Sequence, residues 1–138
     1  MIHSIDVEIT APVYDTEVTD RIAESISTIF PGADPEKRHG ELTATVHDLE
    51  QFSQLLHRHE ILDTARGVFF DNKRGDSFSF RLNKQAAFEG VVNFVVDEPG
   101  ELGEISVHVS VSDPAVEDVI DHIAPPTQEG QPLDTDDA

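Results

Sequence analysis

The stretch Ile105-Ser106-Val107-His108-Val109-Ser110-Val111-Ser112 alternates apolar and polar residues without a break. Side chains on a strand point to opposite faces in turn, so this pattern predicts a strand with one buried face and one wet face. Ile5, Val7 and Ile9 alternate with Ser4, Asp6, Glu8 and Thr10 in the same way. So do Leu42, Ala44 and Val46 with Thr43, Thr45 and His47, and Phe78, Phe80 and Leu82 with Ser79, Arg81 and Asn83. Val92, Phe94 and Val96 predict a further strand, less cleanly because Val91 and Val95 are also apolar. Five one-sided strands predict a mostly antiparallel sheet that is apolar on one face and open to water on the other.

Helical spacing accounts for what covers the apolar face. Val18, Ile22, Ile26 and Ile29 form a stripe that begins near Asp15 or Thr16 and stops at Pro31-Gly32. Asp48 with Gln51 opens a second helix with Leu49, Phe52, Leu55 and Leu56 facing inward. Leu62, Ala65, Val68 and Phe69 mark a third, separated by a phase break at His57–Glu60. A fourth starts at Asp113-Pro114, with proline at the first helical position, and runs through Val116, Val119, Ile120 and Ile123. Pro31–Gly40, Asp71–Asp76 and Glu98–Gly103 are turns. The predicted order is β-α-β-α-α-β-β-β-α, an α+β fold with helices on one sheet face. Residues 1–124 form one domain, and 125–138, polar, acidic and rich in proline, read as a loose tail.

Composition narrows the function. There are no cysteines, which removes disulfides, thiol nucleophiles and cysteine-ligated metal centres. No apolar run approaches the ~20 residues of a membrane span, and Met1–Asp6 lacks a basic start, so a soluble, cytoplasmic chain is expected. The 28 acids against 9 bases give a net charge of −19. Such charge repels itself in ordinary buffer, but at ~1 M salt the Debye length is ~3 Å. The acidity predicts a molar-salt host.

No glycine cluster precedes a helix, so no phosphate-cradling loop is expected. His57 and His59, two apart, point in different directions on a helix and do not form a metal pair; no metal or cofactor is expected. His108 on the wet face could meet His3 or His47. The distribution of bases is the one uneven feature. Residues 57–84 hold six of the nine (Arg58, Arg66, Lys73, Arg74, Arg81 and Lys84) and are net +2, while residues 85–138 hold none. One account is a patch that contacts phosphate, as on RNA. The other is a set of ion pairs with neighbouring acids, among them Asp63 with Arg66 one turn later. The wet face carries no aromatic residue on which bases could stack, which disfavours single-strand RNA reading by sheet aromatics.

Ile61-Leu62-Asp63-Thr64-Ala65-Arg66 and Leu82-Asn83-Lys84-Gln85-Ala86-Ala87-Phe88-Glu89-Gly90-Val91-Val92-Asn93-Phe94 resemble the hallmark segments of the uncharacterised archaeal protein family UPF0201. Leu102–Ile105 and Ile123–Thr127 resemble it too, so the chain looks like a haloarchaeal member. Where the second motif would carry a base, at Glu89 or Val91, this chain has none. The resemblance implies a fold similar to ribosomal protein L5 and no established activity. It also implies that some relatives are joined to, or travel with, a P-loop kinase-like protein. The polar candidates are Arg66, Asn83, Lys84 and Gln85 beside the other bases. Asn83 is expected to cap a turn and Gly90 to adopt positive φ. The leading expectation is a non-catalytic binding module for RNA. The alternatives are a protein-interaction subunit of a kinase-like partner, and an enzyme or binder of a phosphorylated small molecule using Arg66 and Lys84.

Overall fold

In the computed structural model, residues 4–96, 103–113, 115–128 and 131–132 are described. The expected roles of His3 and Pro114, most of the Glu98–Gly103 turn, and residues 129–130 and 133–138 lie outside the described residues.

The strands are β1 (Ser4–Pro12), β2 (Glu36–Arg38), β3 (Glu41–Val46), β4 (Ser77–Leu82) and β5 (Ile105–Asp113). They form one five-stranded sheet in the order β2-β3-β1-β5-β4, and each pairing is antiparallel. The helices are α1 (Thr19–Ile29), α2 (Glu50–Arg58), α3 (Leu62–Asp71), α4 (Lys84–Phe88) and α5 (Val116–Ile123). A small ladder joins β6 (Thr127–Gln128) to β7 (Gln131–Pro132).

The alternation read from the sequence sets the layers. Val7, Ile9, Phe78, Phe80, Leu82, Val107 and Val109 are buried against the helices, while Glu8, His108 and Ser110 are exposed. Phenylalanine rings knit the two layers. Phe52 of α2 stacks at 5.3 Å on Phe80 of β4 and at 5.2 Å on Phe30, just past α1. Phe69 of α3 meets Phe78 at 5.0 Å and Phe80 at 5.1 Å. Each such ring pair adds about 0.5–1.5 kcal/mol beyond its area. The buried Ser53 hydroxyl donates to the Ile123 carbonyl at 2.7 Å, satisfying the end of α5.

Four expectations change. The Val92–Val96 stretch is not a strand. Its backbone meets β4 only through Asn83 N–H to Asn93 O (3.0 Å), Val95 N–H to Arg81 O (2.9 Å) and one bridge, Leu82 to Phe94. Lys84–Phe88 is a helix instead. Asn83 caps it by accepting from the Ala86 N–H at 2.8 Å, and Gly90, at φ 80°, ends it. The fifth strand is β2, inside the expected 31–40 turn. It pairs with β3 through His39-Gly40, both at positive φ (51° and 82°), the geometry of a type I′ hairpin. Finally, α1 starts at Thr19 rather than near Asp15, and α5 at Val116 because β5 continues to Asp113.

The phase break between α2 and α3 has a defined form. Ile61 N–H donates to Leu56 O at 3.1 Å and Glu60 N–H to His57 O at 3.2 Å, with Glu60 at φ 57°. This is a Schellman cap with glutamate where glycine is preferred. A left-handed non-glycine residue costs about 1–2 kcal/mol. Glu60→Gly is therefore expected to raise stability by about 0.5–1 kcal/mol after its chain-entropy penalty. Denaturant melts in molar KCl would read it, and a lower midpoint would contradict the cap assignment.

Candidate nucleic-acid interface

The six bases of residues 57–84 do not share one environment. Lys84 is enclosed: its side chain and that of Glu17 are each 8% exposed, and its ammonium donates to Glu17 Oε1 at 2.9 Å and to Pro12 O at 2.6 Å. The same Oε1 accepts from Tyr14 N–H at 3.1 Å, and the Tyr14 ring lies 5.3 Å from the ammonium. Gly103, at φ 71°, completes the enclosure; a Cβ there would lie 2.7 Å from Pro12 Cγ. Arg66 reaches across to α5, donating to Asp121 Oδ1 at 2.7 Å and Ala124 O at 3.1 Å, with its guanidinium 4.9 Å from the Phe70 ring. Lys73 pairs with Glu117 of α5. His122 Nε2 sits 2.7 Å from Glu50 Oε1, so polar side-chain contacts tie α5 to α2, to α3 and to the turn after it.

The expected Asp63–Arg66 pair does not form; the Thr127 hydroxyl donates to Asp63 instead. Arg66 and Lys84 serve different partners, α5 for one and the β1–α1 junction for the other, which leaves no shared clamp for a phosphorylated small molecule. Arg58 lies exposed in the last turn of α2, where a cation suits the helix dipole. Arg74 is exposed and donates to Lys73 O at 3.3 Å. Arg81 alone of the six stands on the open sheet face, opposite Ser106. Asn83 and Gln85 border a groove of about 650 Å³ between α1 and α4. Sequence reading missed Arg21 there, which stacks 4.5 Å over the Phe88 ring.

The open face is rich in hydroxyls. Ser79 faces His108 and His108 faces Glu8; Arg81 faces Ser106, which faces Thr10, which faces Thr43. His108 thus meets Glu8, and His47 Nδ1 lies 3.1 Å from Asp6 Oδ1, rather than the two histidines meeting each other. No aromatic residue stands on this face among the described residues. Nor does any group of three or more potential metal ligands occur among them. No helix there is long and apolar enough to cross a membrane.

Two predictions follow from the ion pairs. Lys84→Met strands the enclosed Glu17 carboxylate and is expected to cost about 3–5 kcal/mol. Adding Glu17→Gln removes the buried charge and should restore most of the loss. Equal destabilisation of single and double variants in denaturant melts would count against a buried pair. The hydrogen bond from Lys73 holds the Glu117 carboxyl below its ordinary value. Its contribution is therefore present above the ordinary glutamate range and is lost as pH falls through the lowered value. Lys73→Met should flatten that part of the acid-unfolding profile, and an unchanged profile would argue against the pair.

Comparison with known proteins places this geometry. A family model described as RNA binding matches residues 6–112, from β1 to β5. A UPF0201 protein of Thermococcus kodakarensis is 32% identical over 94% of this chain and 96% of its own length. A UPF0200/UPF0201 protein of Archaeoglobus fulgidus is 33% identical over 94% of this chain, which spans only 40% of that longer relative. The crystal structure of a UPF0201 protein from Methanococcus jannaschii superposes with a TM-score of 0.85 at 33% identity, covering 94% of this chain and 99% of that one. A shared sheet, shared helices and identity sustained over nearly the whole length establish that this chain belongs to the UPF0201 family.

Proposed function

We propose that this chain is an RNA-binding module that meets its ligand on the open face of the sheet. The observation that carries this reading is the match of residues 6–112 to a family model described as RNA binding. The chemistry of the face supports it: hydroxyls of Thr10, Thr43, Thr45, Ser79, Ser106 and Ser110 stand beside Arg81 and His108. These are partners for sugar hydroxyls and phosphate oxygens, not stacking platforms for bases. Of the bases singled out from the sequence, Arg81 is the principal phosphate contact in this reading, with Arg58 and Arg74 peripheral. Lys84, Arg66 and Lys73 hold the fold.

The net charge of −19 fixes how such binding depends on salt. A basic protein loses affinity for RNA as salt rises, through counterion release. Here the long-range term is repulsive and is screened within ~3 Å at ~1 M salt. The affinity of single-stranded RNA, read by fluorescence anisotropy, is therefore expected to rise from low salt to molar KCl. Arg81→Glu should weaken binding about tenfold at high salt, the loss of one charge-assisted hydrogen bond. Binding no stronger than that of an equally acidic control protein would end the proposal.

The Archaeoglobus fulgidus relative supports a second reading, as a protein-interaction subunit. That chain carries both family names and extends well beyond the match. Covalent joining raises the effective concentration of two weakly associating units. The partner implied by the family resemblance is the P-loop kinase-like protein. Co-purification at native salt, yielding a stoichiometric protein and no nucleic-acid absorbance, would favour this reading over RNA.

A further inference from the structure

The strand register fixes the neighbours of the side chains on the open face. β1 is the central strand, and its outward residues Asp6 and Glu8 are both exposed carboxylates. Each has a histidine beside it, from opposite sides. His47, just past β3, places Nδ1 3.1 Å from Asp6 Oδ1. His108 of β5 stands directly opposite Glu8. Both histidines are exposed. The other charged groups near them are few. Asp48 follows His47 and is exposed. His108 has Ser79 of β4 across from it on its other side, while Asp71 at the end of α3 and Arg81 of β4 line the same groove.

With the histidines neutral, the middle of the face turns two carboxylates to solvent. Ionised carboxylates accept hydrogen bonds and donate none, so they repel phosphate. Molar salt screens charges more than ~3 Å apart but not groups in contact. Histidine is the side chain that ordinarily changes charge between about pH 5 and 8. A neutral ring has one N–H; a protonated ring has two and a positive charge. Protonation of His47 and His108 therefore sets one positive charge against each β1 carboxylate. It also leaves each ring an N–H beyond the one its carboxylate can accept. We propose that RNA binding on the open face is gated by protons: His47 and His108, once protonated, offset Asp6 and Glu8 and supply donors for phosphate. The inference rests on the RNA reading above and adds to it how the face is regulated. Proton uptake and RNA binding then strengthen one another, because linkage is reciprocal.

Anisotropy of a short 5′-labelled single-stranded RNA, with the full chain in molar KCl, reads the effect. Affinity is expected to rise about tenfold from about pH 8 to about pH 5.5, above the ordinary carboxylate range, as charge-assisted hydrogen bonds are gained. Changing His47→Asn and His108→Asn together should remove most of that rise. His57→Asn, on α2 in the helix layer, should keep it and so controls for net charge. Calorimetry in two buffers of different ionisation enthalpy should show protons taken up as the wild-type chain binds RNA. Affinity independent of pH, absence of proton uptake, or an equal rise in the double variant would overturn the gating and leave RNA binding in place. Loss of the rise in His57→Asn would also overturn it, in favour of a net-charge effect. No binding at either pH would remove both the gating and the RNA reading.

Discussion

An ammonium group with 8% of its side chain exposed must be compensated or it neutralises, and Lys84 is compensated by Glu17, by the Pro12 carbonyl and by the Tyr14 ring. This requirement shapes the chain around it. Glu17 must turn its carboxylate inward to meet Lys84 and the Tyr14 N–H, so Tyr14–Glu17 forms a turn and α1 cannot begin until Thr19. Lys84 must sit at the first position of α4, and that helix is set by the Asn83 cap. Gly103 must lack a side chain so that the chain entering β5 can pass Pro12. One pair thus joins β1, α1, α4 and the start of β5 at one corner.

The second constraint is the one-sidedness of the sheet. Its apolar face is filled by phenylalanines and aliphatic side chains from α2, α3 and α5, so the helix layer has no room on the other side and no reason to cover it. The open face is then left with what alternation places there: serine, threonine, histidine and charge. A face of that kind can hold a ligand only by hydrogen bonds and short-range charge.

Four strands were legible because burial on one face writes a period of two into the sequence, and the Leu56–Ile61 break was legible as a shift of stripe. β2 was not, because Glu36, Lys37 and Arg38 are all exposed and carry no apolar residue to set a period. The 92–96 stretch misled because its apolar residues are inward for a different reason: Val92 is buried outside any strand, and Phe94 bridges to Leu82 and meets the Phe69 ring edge-on. The bases were legible as a count but not as pairs. Asp121 and Glu117 lie 55 and 44 residues from Arg66 and Lys73, and nothing local joins them. The makeup of the open face was hidden for the same reason: Glu8, Arg81 and His108 come from three separate strands.

The retention of bases in an acidic chain now has a physical account. Arg66, Lys73 and Lys84 each face a carboxylate from a distant element, and replacing any of them by an acid would set two negative charges together at a packing junction. Structural need alone keeps those three. Arg81 differs in its place: it stands half-buried on the polar side of the sheet, opposite Ser106, and not at a seam between helices. With Arg66, Lys73 and Lys84 tied to separate elements, the bases of residues 57–84 do not gather into one broad basic patch. A polyanion approaching so acidic a molecule can be held only where a few groups match it at close range.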